Sequence, residues 1–120
     1  MRKYIQVFSI FVLGIVVILL SSCATCGTSY RRELSQNPDL REANESYVKV
    51  INWLDKAECS IAPAEKESFY NTAESYLSDT IYKLEQLGHD KSIDVSEDVY
   101  YCEKIRSETD VKIGAANRAK

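Results

Sequence analysis

Cysteine, histidine and tyrosine carry most of the reactive chemistry available to this 120-residue chain. Cys23 and Cys26 stand at C-x-x-C spacing, which as free thiols would suit a redox pair or half of a zinc site. His89 is the sole histidine, set between Gly88 and Asp90. A His–Asp pair can polarise a nucleophile, but no Ser or Cys is placed by the sequence to meet it. A solvated loop histidine is the simpler reading. Metal sites draw several His or Cys at close spacing, and that pattern is missing. With only four glycines there is no Gly-rich phosphate loop. The many carboxylates follow the polar faces of helices. No catalytic residue, metal or cofactor is expected, and the chain reads as a non-enzyme.

The residues before Cys23 give that sulfur a different chemistry. Arg2 and Lys3 precede an apolar run from Ile5 to Leu20, broken only by Gln6, Ser9 and Gly14. A charged start, a greasy middle and small residues before a break describe an export signal. The break itself, Leu20-Ser21-Ser22-Cys23, resembles the lipobox of bacterial lipoproteins. The resemblance implies a diacylglyceryl group on the Cys23 sulfur, removal of residues 1–22 and acylation of the new amino terminus. Small residues at 21 and 22 fit a narrow peptidase cleft. Cys26 cannot take the role, because Thr25 and Cys23 would then fill the small and aliphatic positions. One acyl chain holds a protein only marginally, at ~0.8 kcal/mol per buried CH₂, whereas the three implied here would hold it permanently. An ordinary cleaved signal competes with this reading. So does an uncleaved membrane helix, since Tyr4 to Tyr30 carries no charge and a span needs only ~20 residues.

Export would also change the charge balance. Of the 15 basic side chains the mature chain loses two, Arg2 and Lys3, and keeps all 18 acidic ones, for a net charge of −5. That balance argues against nucleic acid as a partner and leaves membrane attachment to the lipid. The resemblance places the protein in the cell envelope. Ala24, a residue other than Asp after the lipidated cysteine, implies an outer membrane facing the periplasm in a cell with two membranes.

The elements that would position these residues are helical. Residues 23–36 read as a lipidated terminus and tether, and 37–114 as one helical domain. Asn37-Pro38 opens the first helix, expected over 38–58, with Asn as cap and Pro at the first position. Its seam runs Leu40, Ala43, Tyr47, Val50, Leu54, Ala57 and Ile61 in steps of three and four. Pro63 opens the second, expected over 63–87, with Tyr70, Ala73, Leu77, Thr80, Leu84 and Leu87 on its seam and Gly88 as its stop. Asp94 with Glu97 resembles a capping box for the third, expected over 95–113 and ended by Gly114. Its stripe of Val95, Val99, Cys102 and Ile105 is the weakest. Residues 115–120 read as a basic solvated tail. Nothing reads as a strand. The expectation is an all-α fold, a small three-helix bundle in up-down-up order.

The oxidising compartment predicts one disulfide and one spare thiol among Cys26, Cys59 and Cys102. Cys59 and Cys102 both lie in the folded part and are the expected pair, with Cys26 as an alternative partner for Cys102. A regular bundle objects, because it sets Cys59 and Cys102 roughly 25 Å apart at 1.5 Å per residue.

The aromatic load is the remaining signal. Trp53, Tyr76, Tyr82 and Tyr101 fall at seam edges, where such residues often serve binding surfaces. Covering the margins of a small core would explain them equally. The function expected is therefore a lipid-anchored, non-catalytic module that binds or assembles a protein partner. This outline is similar to the pilotins that guide secretins and to small lipoproteins that block conjugative transfer. Terminal Lys120 is similar to the residue by which the murein lipoprotein joins peptidoglycan, but that protein is one continuous helix, and this chain has breaks at Pro63 and Gly88.

Overall fold

A computed structural model describes residues 26–120, so the signal segment 1–22 and Cys23 lie outside the described residues. A single 3-10 turn, Pro38–Leu40, leads into three α-helices: α1 Arg41–Cys59, α2 Pro63–Lys91 and α3 Ser96–Arg118. The protein is all-α, a three-helix bundle.

The seam of α1 is buried as its spacing requires. Ala43, Tyr47, Val50, Ile51, Leu54 and Ala57 all face the core. Ile61 does not; it lies beyond the end of α1 and is 94% exposed. Asn37 caps the opening turn by accepting from the Asp39 amide at 3.0 Å. On α2, Tyr70, Ala73, Leu77, Thr80, Ile81 and Leu84 meet that seam. Two buried hydroxyls are matched rather than stranded. Thr80 donates to the Tyr76 carbonyl at 2.8 Å, and Ser46 lies between Asp79 at 2.7 Å and Lys83 at 2.8 Å.

Three helix boundaries differ from expectation. Gly88 does not stop α2, which continues to Lys91 and turns at Ser92 in the left-handed region, φ 53°. The glycine serves a close approach instead. A Cβ at 88 would come within 2.8 Å of Val95 Cγ2 and 3.2 Å of the Ile93 carbonyl, where the loop folds back over the helix. α3 starts at Ser96, one residue later than expected. Val95 takes the cap position without a side-chain bond, so the expected Asp94–Glu97 capping box does not form, and Asp94 instead accepts from the Ser96 amide at 3.0 Å and the Ser96 hydroxyl at 2.6 Å. Gly114 does not end α3, and residues 115–118, expected as tail, are helix. Ala116 is buried and Lys120 pairs with Glu67 near the start of α2, so this end is packed against α2.

The expected tether is the largest correction. Residues 26–36 run as an extended strap over the bundle. Among the described residues, no Cα of α1 comes within 8 Å of one of α3, so the helices alone would leave a trench. The strap fills it. Leu34 is buried in the same core as Tyr47, Leu77 and Ile105, and Tyr30 packs against that core. The Thr28 amide donates to Asp55 at 2.8 Å and the Leu34 amide to Asn44 at 2.9 Å, both on α1. On the other wall Ser35 donates to Asp98 at 2.7 Å, and the Tyr30 hydroxyl to Glu108, both on α3. Gly27 lets the strap begin. Its φ is +132°, and a Cβ there would meet Asp55 Oδ1 at 2.9 Å.

The disulfide is set by this arrangement. Cys59 pairs with Cys26, their Cα atoms 5.3 Å apart, and Cys102 is a buried free thiol. Neither expected pair, Cys59–Cys102 or Cys26–Cys102, forms. Cys59 ends α1, whereas Cys102 lies in the second turn of α3, and no Cα of these two helices comes within 8 Å of the other. Nothing in the pattern around Cys26 marks it as Cys59's partner, because a strap without periodicity looks like a free tether.

Candidate functional site

The four aromatic candidates go to three different places. Trp53 and Tyr76 share the outer seam between α1 and α2. Trp53 packs on Phe69 with ring centres 5.6 Å apart, and Lys56 stands 4.3 Å over the indole. One turn before Trp53, Lys49 stands 5.5 Å over the Tyr76 ring. Lys49, Trp53 and Lys56 recur at helical spacing, so they form one stripe with Phe69 and Tyr76 opposite. The lysines are exposed and the rings half-buried. Spacing alone showed each ring; only the pairing of α1 with α2 showed the stripe.

Tyr101 lies elsewhere, against the strap. Its ring meets Tyr30 edge-on at 6.3 Å, the Arg31 guanidinium lies 4.1 Å above it, and its hydroxyl accepts from the Arg31 amide at 2.9 Å. The Tyr47 hydroxyl donates to the Arg31 carbonyl at 2.5 Å from below. Burial, then the Tyr101 hydroxyl, hold Tyr47 well above the ordinary tyrosine range. Tyr101 is thus a structural residue that fastens the strap. Tyr82 is 62% exposed on α2, and Tyr100, its counterpart on α3, is 74% exposed.

One hollow gathers titratable groups. Gly27, Thr28, Tyr30, Glu58, Glu108 and Lys112 line a space of about 270 Å³ at the start of the strap. Its groups are spent on one another. Lys112 bonds Glu58 at 2.5 Å, the Tyr70 hydroxyl donates to Glu58 at 2.8 Å, and Tyr30 holds Glu108. Burial alone would raise Glu58; the bonds from Lys112 and Tyr70 outweigh it and hold the carboxyl below its usual value. These links join strap, α1, α2 and α3, and leave no group aimed at a ligand. His89 is exposed beside Asp90 at 3.3 Å, in the last turn of α2 rather than a loop. Among the described residues no cluster of His, Cys, Asp or Glu is arranged to hold a metal ion.

Two features gave no sequence signal. Glu74 on α2 faces Asp110 on α3, and burial, followed by the hydrogen bond and charge of Asp110, raises its carboxyl to about 7. At the disulfide end, Ile61, Pro63, Tyr70, Ala115, Ala116 and Ala119 line a largely apolar groove with Lys66 and Lys112 on its rim. Both depend on which turn of α2 meets which turn of α3. No protein-family model, curated protein or solved structure matches this chain.

Proposed function

We propose that this protein is a lipid-anchored envelope module that docks a protein partner without catalysis. Its membrane half rests on Leu20-Ser21-Ser22-Cys23 and the apolar run before it. Its docking half rests on one observation, the α1–α2 stripe in which Lys49 and Lys56 flank the half-buried rings of Trp53 and Tyr76. Rigid aromatic anchors inside a polar rim are what binding surfaces use, since the rings contribute area at little entropic cost. The lysines select a partner with acidic side chains at the contact.

Intact mass of the membrane-extracted protein tests the first half. Loss of residues 1–22 with acyl chains on Cys23 is the expected result; an unprocessed chain counts against it. Chemical cross-linking in intact envelopes tests the second. Reversing Lys49 and Lys56 together to Glu should abolish the adduct, while Tyr82→Ala, off the stripe, should keep it. An adduct that survives charge reversal but not Tyr82→Ala would move the docking face to the outer side of α2. Thermal unfolding of each variant shows whether the bundle is intact.

A further inference from the structure

The two ends of the bundle are not equivalent. Residue 26, where the described chain begins, is clamped by its disulfide to the last residue of α1. Two residues, Ala24 and Thr25, link Cys23 to Cys26, three Cα steps that reach at most about 11 Å when fully extended. The far end of α1, Arg41, 18 residues away, is roughly 27 Å further along the helix axis. A lipid on Cys23 therefore holds the Cys59 end toward the bilayer and the Asn37–Ser92 end away from it.

The end so placed has the surface a membrane would select. Ile61 comes two residues after the disulfide and is 94% exposed, an aliphatic side chain with no core to join. It opens the apolar groove walled by Pro63, Tyr70 and the alanines of the last turns of α3. Lys66 and Lys112 line the groove, and Arg118 and Lys120 flank its Ala119 in sequence, Lys112 paired with Glu58 and Lys120 with Glu67. After Asp110 the sequence carries Lys112, Arg118 and Lys120 and no acid, and these cations offset Glu58 and Glu67 at this end of the bundle. The opposite end exposes Asp90 and Asp94, with Asp39 paired to Lys91.

We infer that the α1–α2 loop and the C-terminal turns of α3 form a membrane-seated face, with Ile61 entering the headgroup–acyl boundary and Lys66, Lys112 and Lys120 lying at the phosphate level. This rests on the lipoprotein reading of Cys23. Shallow insertion of one aliphatic residue beside lysines is the interfacial mode of binding, and a second contact fixes an orientation that a lipid alone leaves free. The domain would then stand upright, with the Trp53 stripe turned to the side rather than to the lipid.

Tryptophan fluorescence tests it, because Trp53 is the only tryptophan. In a Trp53→Phe background, Ile61→Trp and, as control, Tyr82→Trp are placed in the full lipidated protein. The proteins are reconstituted in phosphatidylethanolamine–phosphatidylglycerol vesicles with or without bromine on the acyl chains. Emission from position 61 should shift to the blue and fall to about half in brominated vesicles, the expected depth being that of an interfacial side chain; position 82 should not respond. Ala62→Trp gives the same readout should Ile61→Trp disturb folding. An acylated protein whose position 61 is not quenched, or is shielded from aqueous acrylamide yet untouched by brominated lipid, overturns the membrane-seated face while leaving the anchor standing. Absence of acyl groups by intact mass overturns both.

Discussion

Glu74 shows how one side chain ties stability to pH. Its Oε1 is buried without a hydrogen-bond partner while both it and Asp110 are ionised, because two carboxylates have no hydrogen to share. Burial, then the hydrogen bond that a protonated Glu74 can give Asp110 and the charge of that carboxylate, raise its carboxyl to about 7. The folded state therefore binds a proton that the unfolded chain releases near its ordinary value of 4.5. Between those two values stability falls as pH rises, since the native state holds the extra proton. Glu74→Gln should flatten the stability curve from pH 5 to 7 and exceed the parent at pH 8, as read by urea unfolding across pH. Cys102 makes a second residue-scale prediction. Its thiol is fully buried, and burial, then the nearby carboxylates of Asp98 and Glu103, push it up to about 12. With Cys23 blocked by lipid, as proposed, native protein should give no reaction with a thiol reagent at neutral pH, and one thiol in guanidinium. A rapid native reaction would mean the strap opens often.

Among the elements, the turn between α2 and α3 and the strap's disulfide have the most to lose. Gly88→Ala would stabilise an isolated helix by roughly 1 kcal/mol. Here it should instead destabilise by about 1–3 kcal/mol, because the new methyl collides with Val95 and the Ile93 carbonyl. Chemical denaturation decides the sign. The Cys26–Cys59 bridge spans 33 residues and fastens the strap to α1. Closing a loop of that size stabilises by about 4 kcal/mol in the chain-entropy model. Reduction should lower the melting temperature while α1, α2 and α3 keep their helical circular dichroism.

The whole molecule depends on the strap as a fourth stave. Leu34 belongs to the same core as residues from all three helices, although it stands outside every helix. Leu34→Ala should cost about 2–5 kcal/mol, a buried-leucine value rather than a linker value. A chain beginning at residue 37 should bind a hydrophobic dye and unfold with less cooperativity, because the trench between α1 and α3 would stand open. Cooperative melting of that shortened chain would show that the three helices suffice.

Local patterning was enough for the fold class, the number of helices and the inner faces of α1 and α2. Apolar residues every three or four positions carry that information within one stretch of chain, and burial matched it at Tyr47, Leu54, Leu77 and Leu84. Residue types also pointed to one disulfide and one spare thiol among Cys26, Cys59 and Cys102, but to the wrong pair. Packing alone chose the partner of Cys59, the work of Gly27 and Gly88, and the sorting of Trp53, Tyr76, Tyr82 and Tyr101 into three surfaces. Residues 26–36 have no periodicity, because an extended strap takes its shape from the groove it lies in. Its hydrogen bonds go to Asp55, Asn44, Asp98 and Glu108, side chains that meet only once the helices have closed around it.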